Sequence, residues 1–135
     1  MRYLLDTNTC IFALRNKPPV VRERIRQCPA GEIGISIITV AELRYGADKC
    51  EHPEAEHSKV SKFLLQVETL DFGPLAAEAF GGIRADLERR GEPIGPFDML
   101  LAAHALSEGL IFVTHNTSEF QRVKGLQLED WYESG

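Results

Sequence analysis

An apolar run that stops on a carboxylate and is followed at once by helix-capping residues constrains this chain most. Residues 2–6 read RYLLD, and Thr7 and Asn8 then lead into Cys10, Ile11, Phe12 and Leu14, spaced as one face of a helix. Residues 32–36 (EIGIS) repeat the pattern: Ser36 or Thr39 can cap a helix carrying Val40, Glu42, Leu43 and Tyr45. Further strands are expected in VETLDF (67–72), LIFVT (110–114) and LQLEDW (126–131). Short apolar runs alternating with longer helical ones predict an α/β domain around a mainly parallel sheet. At 135 residues and 44% hydrophobic content, residues 1–135 are read as one domain with one core.

The connecting segments follow from local signals. Residues 16–19 stop the first helix, and Pro19 opens a short basic one with Val20, Val21 and Ile25 on one face. Residues 48–56 carry one cation against four acids and contain Pro53, which reads as a solvated loop before the helical spacing of Val60, Phe63, Leu64 and Val67. Gly73-Pro74 begins an amphipathic helix with Leu75, Ala76, Ala79, Phe80, Ile83 and Leu87 on one face, ended by Gly91. The Gly81-Gly82 pair within it suggests close backbone approach, to another helix or to a second subunit. GEPIGPF delivers Asp98 to the first turn of MLLAAHAL, a helix apolar almost all round and therefore expected against the sheet. HNTSEF reads as a polar turn, and His104 as a satisfied core histidine.

Charge and cysteine content narrow the function classes. Fifteen Lys plus Arg against twenty Asp plus Glu give a net charge of −5, unlike a broadly basic nucleic-acid coat. No apolar run approaches the about 20 residues that cross a bilayer, and no signal peptide is evident. Three cysteines without framework spacing suit reduced thiols, so a cytoplasmic location is expected.

Four acids have unusual neighbours. Asp6 ends an apolar strand, Glu42 follows a strand on a helix, Asp98 begins an apolar helix, and Glu119, with Asn116, follows LIFVT. In a parallel sheet such strand-to-helix junctions share the carboxyl edge, where ligand sites form. Carboxylates gathered there repel unless a cation neutralises them, and oxygen-only ligands favour Mg²⁺ or Mn²⁺ over zinc. Each acid taken singly also reads as a cap, a strand end or a solvated helix residue.

LLDTNTCIFAL, ISIITVAELRYGA, GPFDMLLAAHAL and IFVTHNTSEF, in this order, resemble the PIN-domain ribonucleases, and within them the VapC toxins of bacterial toxin–antitoxin pairs. The resemblance runs from residue 3 to residue 131, and the GPFD and EDW forms are similar to the VapC group that cuts initiator tRNA. It implies a three-layer α/β/α fold, a Mg²⁺-dependent endoribonuclease acting on tRNA, a homodimer and inhibition by a VapB antitoxin. The family's acids fall on Asp6, Glu42 and Asp98; at the fourth position, where many relatives carry Asp, stand Asn116 and, three residues on, Glu119. Asp6 and Asp98 would then hold the metal and Glu42 bind it or orient the attacking water, giving a 5′-phosphate and a 3′-hydroxyl. Thr7, Asn8, Ser36, Thr114 and Asn116 would support the acids, unless they serve only as caps and turn residues.

Arg15, Lys17, Arg22, Arg24 and Arg26 against Glu23 make a local excess of +4, read as an RNA phosphate track or as a solvated basic helix. Two other readings of the chain are a non-catalytic PIN-like binding module and an aspartate-dependent phosphohydrolase. The latter needs a second Asp two residues after the first as proton donor, where this chain has Asn8.

Overall fold

A computed structural model describes residues 1–132. In chain order the elements are β1 (Tyr3–Leu5), α1 (Thr7–Arg15), α2 (Pro19–Gln27), β2 (Ile33–Ser36), α3 (Ile37–Lys49) and α4 (Pro53–Leu64). They continue as β3 (Glu68–Leu70), α5 (Pro74–Arg90), α6 (Pro96–Ser107), β4 (Ile111–Val113), α7 (Thr117–Phe120) and β5 (Leu128–Glu129). The strands form one sheet in the order β3-β2-β1-β4-β5, and every pairing is parallel.

The pleat sorts side chains into the two outer layers, since successive strand residues face opposite ways. Tyr3 and Leu5 pack with Val21, Ile25, Leu43, Val60, Phe63 and Trp131 under α1 to α4, whereas Leu4 and Phe112 pack with Ile83, Leu87, Leu101 and Phe120 under α5 to α7. That division is the three-layer α/β/α arrangement. The next position of β2 on the second face is Gly34, where a Cβ would stand 2.8 Å from Met1 Sδ and 3.2 Å from Leu70 Cδ1.

Several boundaries follow the expected signals. Asn16 takes a left-handed conformation (φ 53°) and ends α1, and Gly91 (φ 68°) ends α5. Others differ from the sequence reading. Residues 48–56 are not one loop: α3 continues to Lys49, and α4 begins at Pro53 with Glu54 and Glu56 in its first turn. Proline at a first helical position followed by acids is a helix start, and that signal outweighs the segment's polarity. The polar turn after β4 contains the short helix α7. Leu75 is exposed, so the buried face of α5 rests on Ala76, Ile83 and Leu87. No atom lies within 4 Å of where a Cβ at Gly81 or Gly82 would stand, so the pair marks no close approach within the described residues.

Candidate active site

Chain order reverses direction across the sheet between β1 and β4: β2 and β3 extend to one side of β1, β4 and β5 to the other. Ligand crevices of open parallel sheets form at the carboxyl ends of such a switch point. Asp6, the first residue after β1, stands there. Its N–H donates to the Val113 carbonyl at 2.8 Å, and the Thr114 hydroxyl donates to its Oδ2 at 2.8 Å. The Thr9 hydroxyl donates to the same Val113 carbonyl at 3.1 Å. Asp6 occupies the N-cap position of α1, but its carboxylate makes no capping hydrogen bond.

The Asp6 side chain has no salt-bridge partner among the described residues although the residue is only 3% exposed. Burial, reinforced by the charges of Asp98 and Glu42, pushes its carboxyl up to about 6, while the Thr114 hydroxyl and the nearby Thr7 N–H oppose that rise. Asp98, in the first turn of α6, is half-buried and is also raised, first by burial and then by Glu119 and Glu42. Thus the four acids expected from sequence are electrostatically linked, Asp6 to Asp98 and Glu42, and Asp98 to Glu42 and Glu119.

Hydroxyl and amide groups set the rotamers of two of them. The Thr7 hydroxyl donates to Glu42 Oε1 at 2.7 Å, so the Thr39 hydroxyl, 3.1 Å from Thr7 Oγ1, is the donor in that contact. A directed chain from Thr39 through Thr7 ends on Glu42. Thr39, which is 0% exposed, was expected only as a helix cap; it stands on the same face of α3 as Glu42, three residues before it, a spacing that signals the shared face. On the far side, Asn116 Nδ2 donates to Glu119 Oε2 at 2.6 Å, and the Asn116 N–H donates to Thr114 Oγ1 at 3.0 Å. Asn116 and Glu119, read from sequence as alternatives, are therefore hydrogen-bonded to each other.

Two supporting residues lie elsewhere. Asn8 is exposed and makes no side-chain hydrogen bond among the described residues. Ser36 accepts from the Ile38 N–H at 3.0 Å, capping α3, and meets His104 Nδ1 at 2.8 Å. It touches no acid. The basic segment is also divided. Arg22 donates to the Ala13 and Leu14 carbonyls at the end of α1, and Arg24 lies 4.8 Å over the Trp131 ring and 3.6 Å from Glu129. Arg15, Lys17 and Arg26 are exposed and carry no salt bridge among the described residues. Arg26 also lines a cavity of about 280 Å³ with Lys59 and Lys62 of α4, cations the sequence reading left aside. Their spacing of three on one helix face was the available signal.

The donor set fits a divalent cation of the magnesium kind. It is made of oxygen only, and it holds a buried carboxylate whose neighbours are acids rather than cations. Among the described residues no three His, Cys, Asp or Glu side chains form a ready cage. Mg²⁺ does not require one, since it keeps several waters and takes one or two carboxylates.

Comparison with known proteins places the chain. The PIN domain model matches residues 3–126. The chain is 48% identical over 131 residues to the tRNA(fMet)-specific endonuclease VapC of Shigella flexneri, covering 97% of this chain and 98% of that one. It is 44% identical to Ribonuclease VapC2 of Haemophilus influenzae at the same coverage. Among solved structures, DNA-bound VapBC from Salmonella typhimurium superposes with a TM-score of 0.92 at 46% identity, covering 97% of this chain and 98% of that one. VapBC2 from Rickettsia felis, bound to a promoter DNA fragment, gives 0.88 at 36% identity, covering 97% and 99%. The switch-point acids, the all-parallel five-stranded sheet and these matches over nearly the whole chain agree: this protein belongs to the VapC ribonucleases of the PIN-domain family.

Proposed function

We propose that this protein is a Mg²⁺-dependent endoribonuclease that cuts tRNA, with initiator tRNA as its target, and that it is the toxin of a toxin–antitoxin pair. The observation that carries the chemistry is Asp6, a buried carboxylate with acids for neighbours and no cation partner among the described residues. The target rests on the relatives named as tRNA(fMet)-specific endonucleases, at 46–48% identity. The VapBC complexes among its structural neighbours support a VapB-type antitoxin as inhibitor. A homodimer in the cytoplasm is part of the same reading, and Mn²⁺ would substitute for Mg²⁺. Among the described residues no helix is long and apolar enough to cross a membrane.

Asp6 and Asp98 would hold the ion, with Glu42 at its side. A bound divalent cation neutralises the cleft, polarises the phosphodiester and eases loss of a proton from the attacking water. The protein's own groups do the rest. Thr114 fixes the Asp6 carboxylate, and Thr7, itself held by Thr39, occupies Oε1 of Glu42, leaving Oε2 to orient the water and take its proton. The Asn116 amide turns Glu119 so that its charge bears on Asp98. Water oxygen bonds to phosphorus as the bond to the 3′ oxygen breaks, leaving a 5′-phosphate and a 3′-hydroxyl.

The test uses purified protein freed of any antitoxin, incubated with total tRNA. Cleavage should require Mg²⁺ and stop in EDTA, and Asp98→Asn should lower kcat at least about 100-fold. Cutting that persists in EDTA, or in the variant, rules out the metal-carboxylate mechanism; a folded wild type that binds RNA without cutting it favours the binding module.

RNA is held by the exposed cations. Replacing Arg15, Lys17 and Arg26 together by Ala should raise KM with kcat little changed, and reduce the slope of log affinity against log salt by about 0.7–0.9 for each phosphate left without its cation. Arg24→Ala should instead act mainly on stability, because its guanidinium covers Trp131. Equal salt slopes for wild type and the triple variant would remove these residues from the RNA interface.

A further inference from the structure

His104 is the one polar side chain among six buried residues of α6, and only 1% of it is exposed. Its surroundings are unusual for a core histidine. Nδ1 lies 2.8 Å from Ser36 Oγ, while Nε2 has no hydrogen-bond partner, the Glu108 carboxylate standing off at 3.7 Å. The ring is covered edge-on by Phe72, at 5.4 Å between centroids. The Ser36 oxygen also accepts from the Ile38 N–H, and the other ring nitrogen of His104 faces Glu108 and the backbone at Asp71. Burial holds the imidazole below its ordinary pKa and keeps it neutral. The core histidine expected from sequence is thus held by Ser36 at one ring nitrogen and turned towards the Asp71 backbone at the other. Burying an imidazole costs solvation that an apolar residue of similar size would not lose.

What the imidazole gains is a connection between two elements. Ser36 caps α3, which carries Glu42 and Thr39, and His104 belongs to α6, which carries Asp98. Glu42 and Asp98 are like charges that raise the cost of ionising the cleft, and their repulsion pushes α3 and α6 apart at that end. The Ser36–His104 hydrogen bond ties the same two elements together in the core. We infer that His104 is a positioning residue which, through Ser36, holds the Asp98 helix in register with the Glu42 helix. The inference rests on the nuclease reading for its functional meaning, but the geometry it predicts does not.

The test compares His104→Asn, His104→Phe and Ser36→Ala in the full chain. Asn places a polar atom near the position of Nδ1 and keeps the hydrogen bond to Ser36, whereas Phe keeps the bulk and forfeits the bond. Misplacement by about 1 Å costs up to about 100-fold in rate, so His104→Phe and Ser36→Ala should lower kcat about tenfold or more. KM should stay within about twofold, and His104→Asn should recover most of kcat. Crystal structures supply a readout independent of activity: the Asp98–Glu42 carboxylate separation should change by about 0.5–1 Å in His104→Phe and stay at the wild-type value in His104→Asn. Should His104→Phe fail to fold, Ser36→Ala breaks the same bond without altering the α6 core, at the added cost of the α3 cap. Full turnover in His104→Phe or in Ser36→Ala, or an Asn variant no better than Phe, overturns the inference. If wild type cuts no RNA, the nuclease reading fails by itself and the carboxylate separations decide this one, equal separations in all variants overturning it.

Discussion

Asp6→Asn should lower cleavage about 1,000-fold and at the same time make the metal-free protein more stable at pH 7. Both effects come from one feature, a carboxyl pushed up to about 6 by burial and by the neighbouring acids. An unfolded aspartate titrates near its ordinary value of 3.8, so between about pH 4 and pH 6 the folded chain keeps a proton that the unfolded chain has released. Stability therefore falls as pH rises through that window, the unfavourable contribution being absent below it and complete above it. A displacement of about two pKa units corresponds to about 3 kcal/mol. The amide removes that contribution but has one oxygen fewer for the donors around it, which returns about 1 kcal/mol, so the net gain is about 1–2 kcal/mol. Thermal melts of wild type in EDTA should show a higher Tm at pH 5 than at pH 7, and Asp6→Asn should flatten the difference. A variant that is inactive and also less stable at pH 7 would make Asp6 a structural anchor and sink the electrostatic account.

Trp131→Ala should cost about 3–5 kcal/mol, a large share of the about 5–15 kcal/mol that a domain of this kind has in total. Trp131 is 1% exposed, packs edge-on against Tyr3 of β1 at 5.0 Å between centroids, and donates from Nε1 to Glu129 Oε1 at 2.9 Å. Arg24 covers its other side. Truncation leaves a cavity next to the central strand and strips the guanidinium of its ring. The urea midpoint should drop with the m-value unchanged, and Trp131→Phe should lose less. A loss below about 1 kcal/mol would show that the chain end is not part of the core.

How far the sequence reached depended on the distance over which a residue's environment is decided. Strand–turn–helix units were legible because periodicity and caps are local, and three of them carry Asp6, Glu42 and Glu119 after β1, β2 and β4; Asp98 differs, since α6 follows helix α5 rather than a strand, a junction the sequence reading took for a strand-to-helix one. The α4 start is hidden in the sequence because the polarity of residues 48–56 masks Pro53 and its following acids. Contacts decided across the chain were out of reach: the Thr114–Asp6 hydrogen bond spans 108 positions and the Ser36–His104 bond spans 68. Arg22 and Arg24 counted as free cations for the same reason. Nothing beside them in sequence announces the α1 carbonyls or the Trp131 ring that they meet.

The sheet order has a consequence for how this chain is made. β1 precedes the other four strands but lies in the middle, and one of its two neighbours, β4, begins at Ile111. A nascent chain that has exposed β1, β2 and β3 has three of the five strands, yet Asp6 still lacks both the Val113 carbonyl and the Thr114 hydroxyl that hold it. Tyr3 waits longer, for Trp131. Asp6 is therefore held in place by residues made more than a hundred positions after it, so the cleft depends on the last part of the sheet to be built.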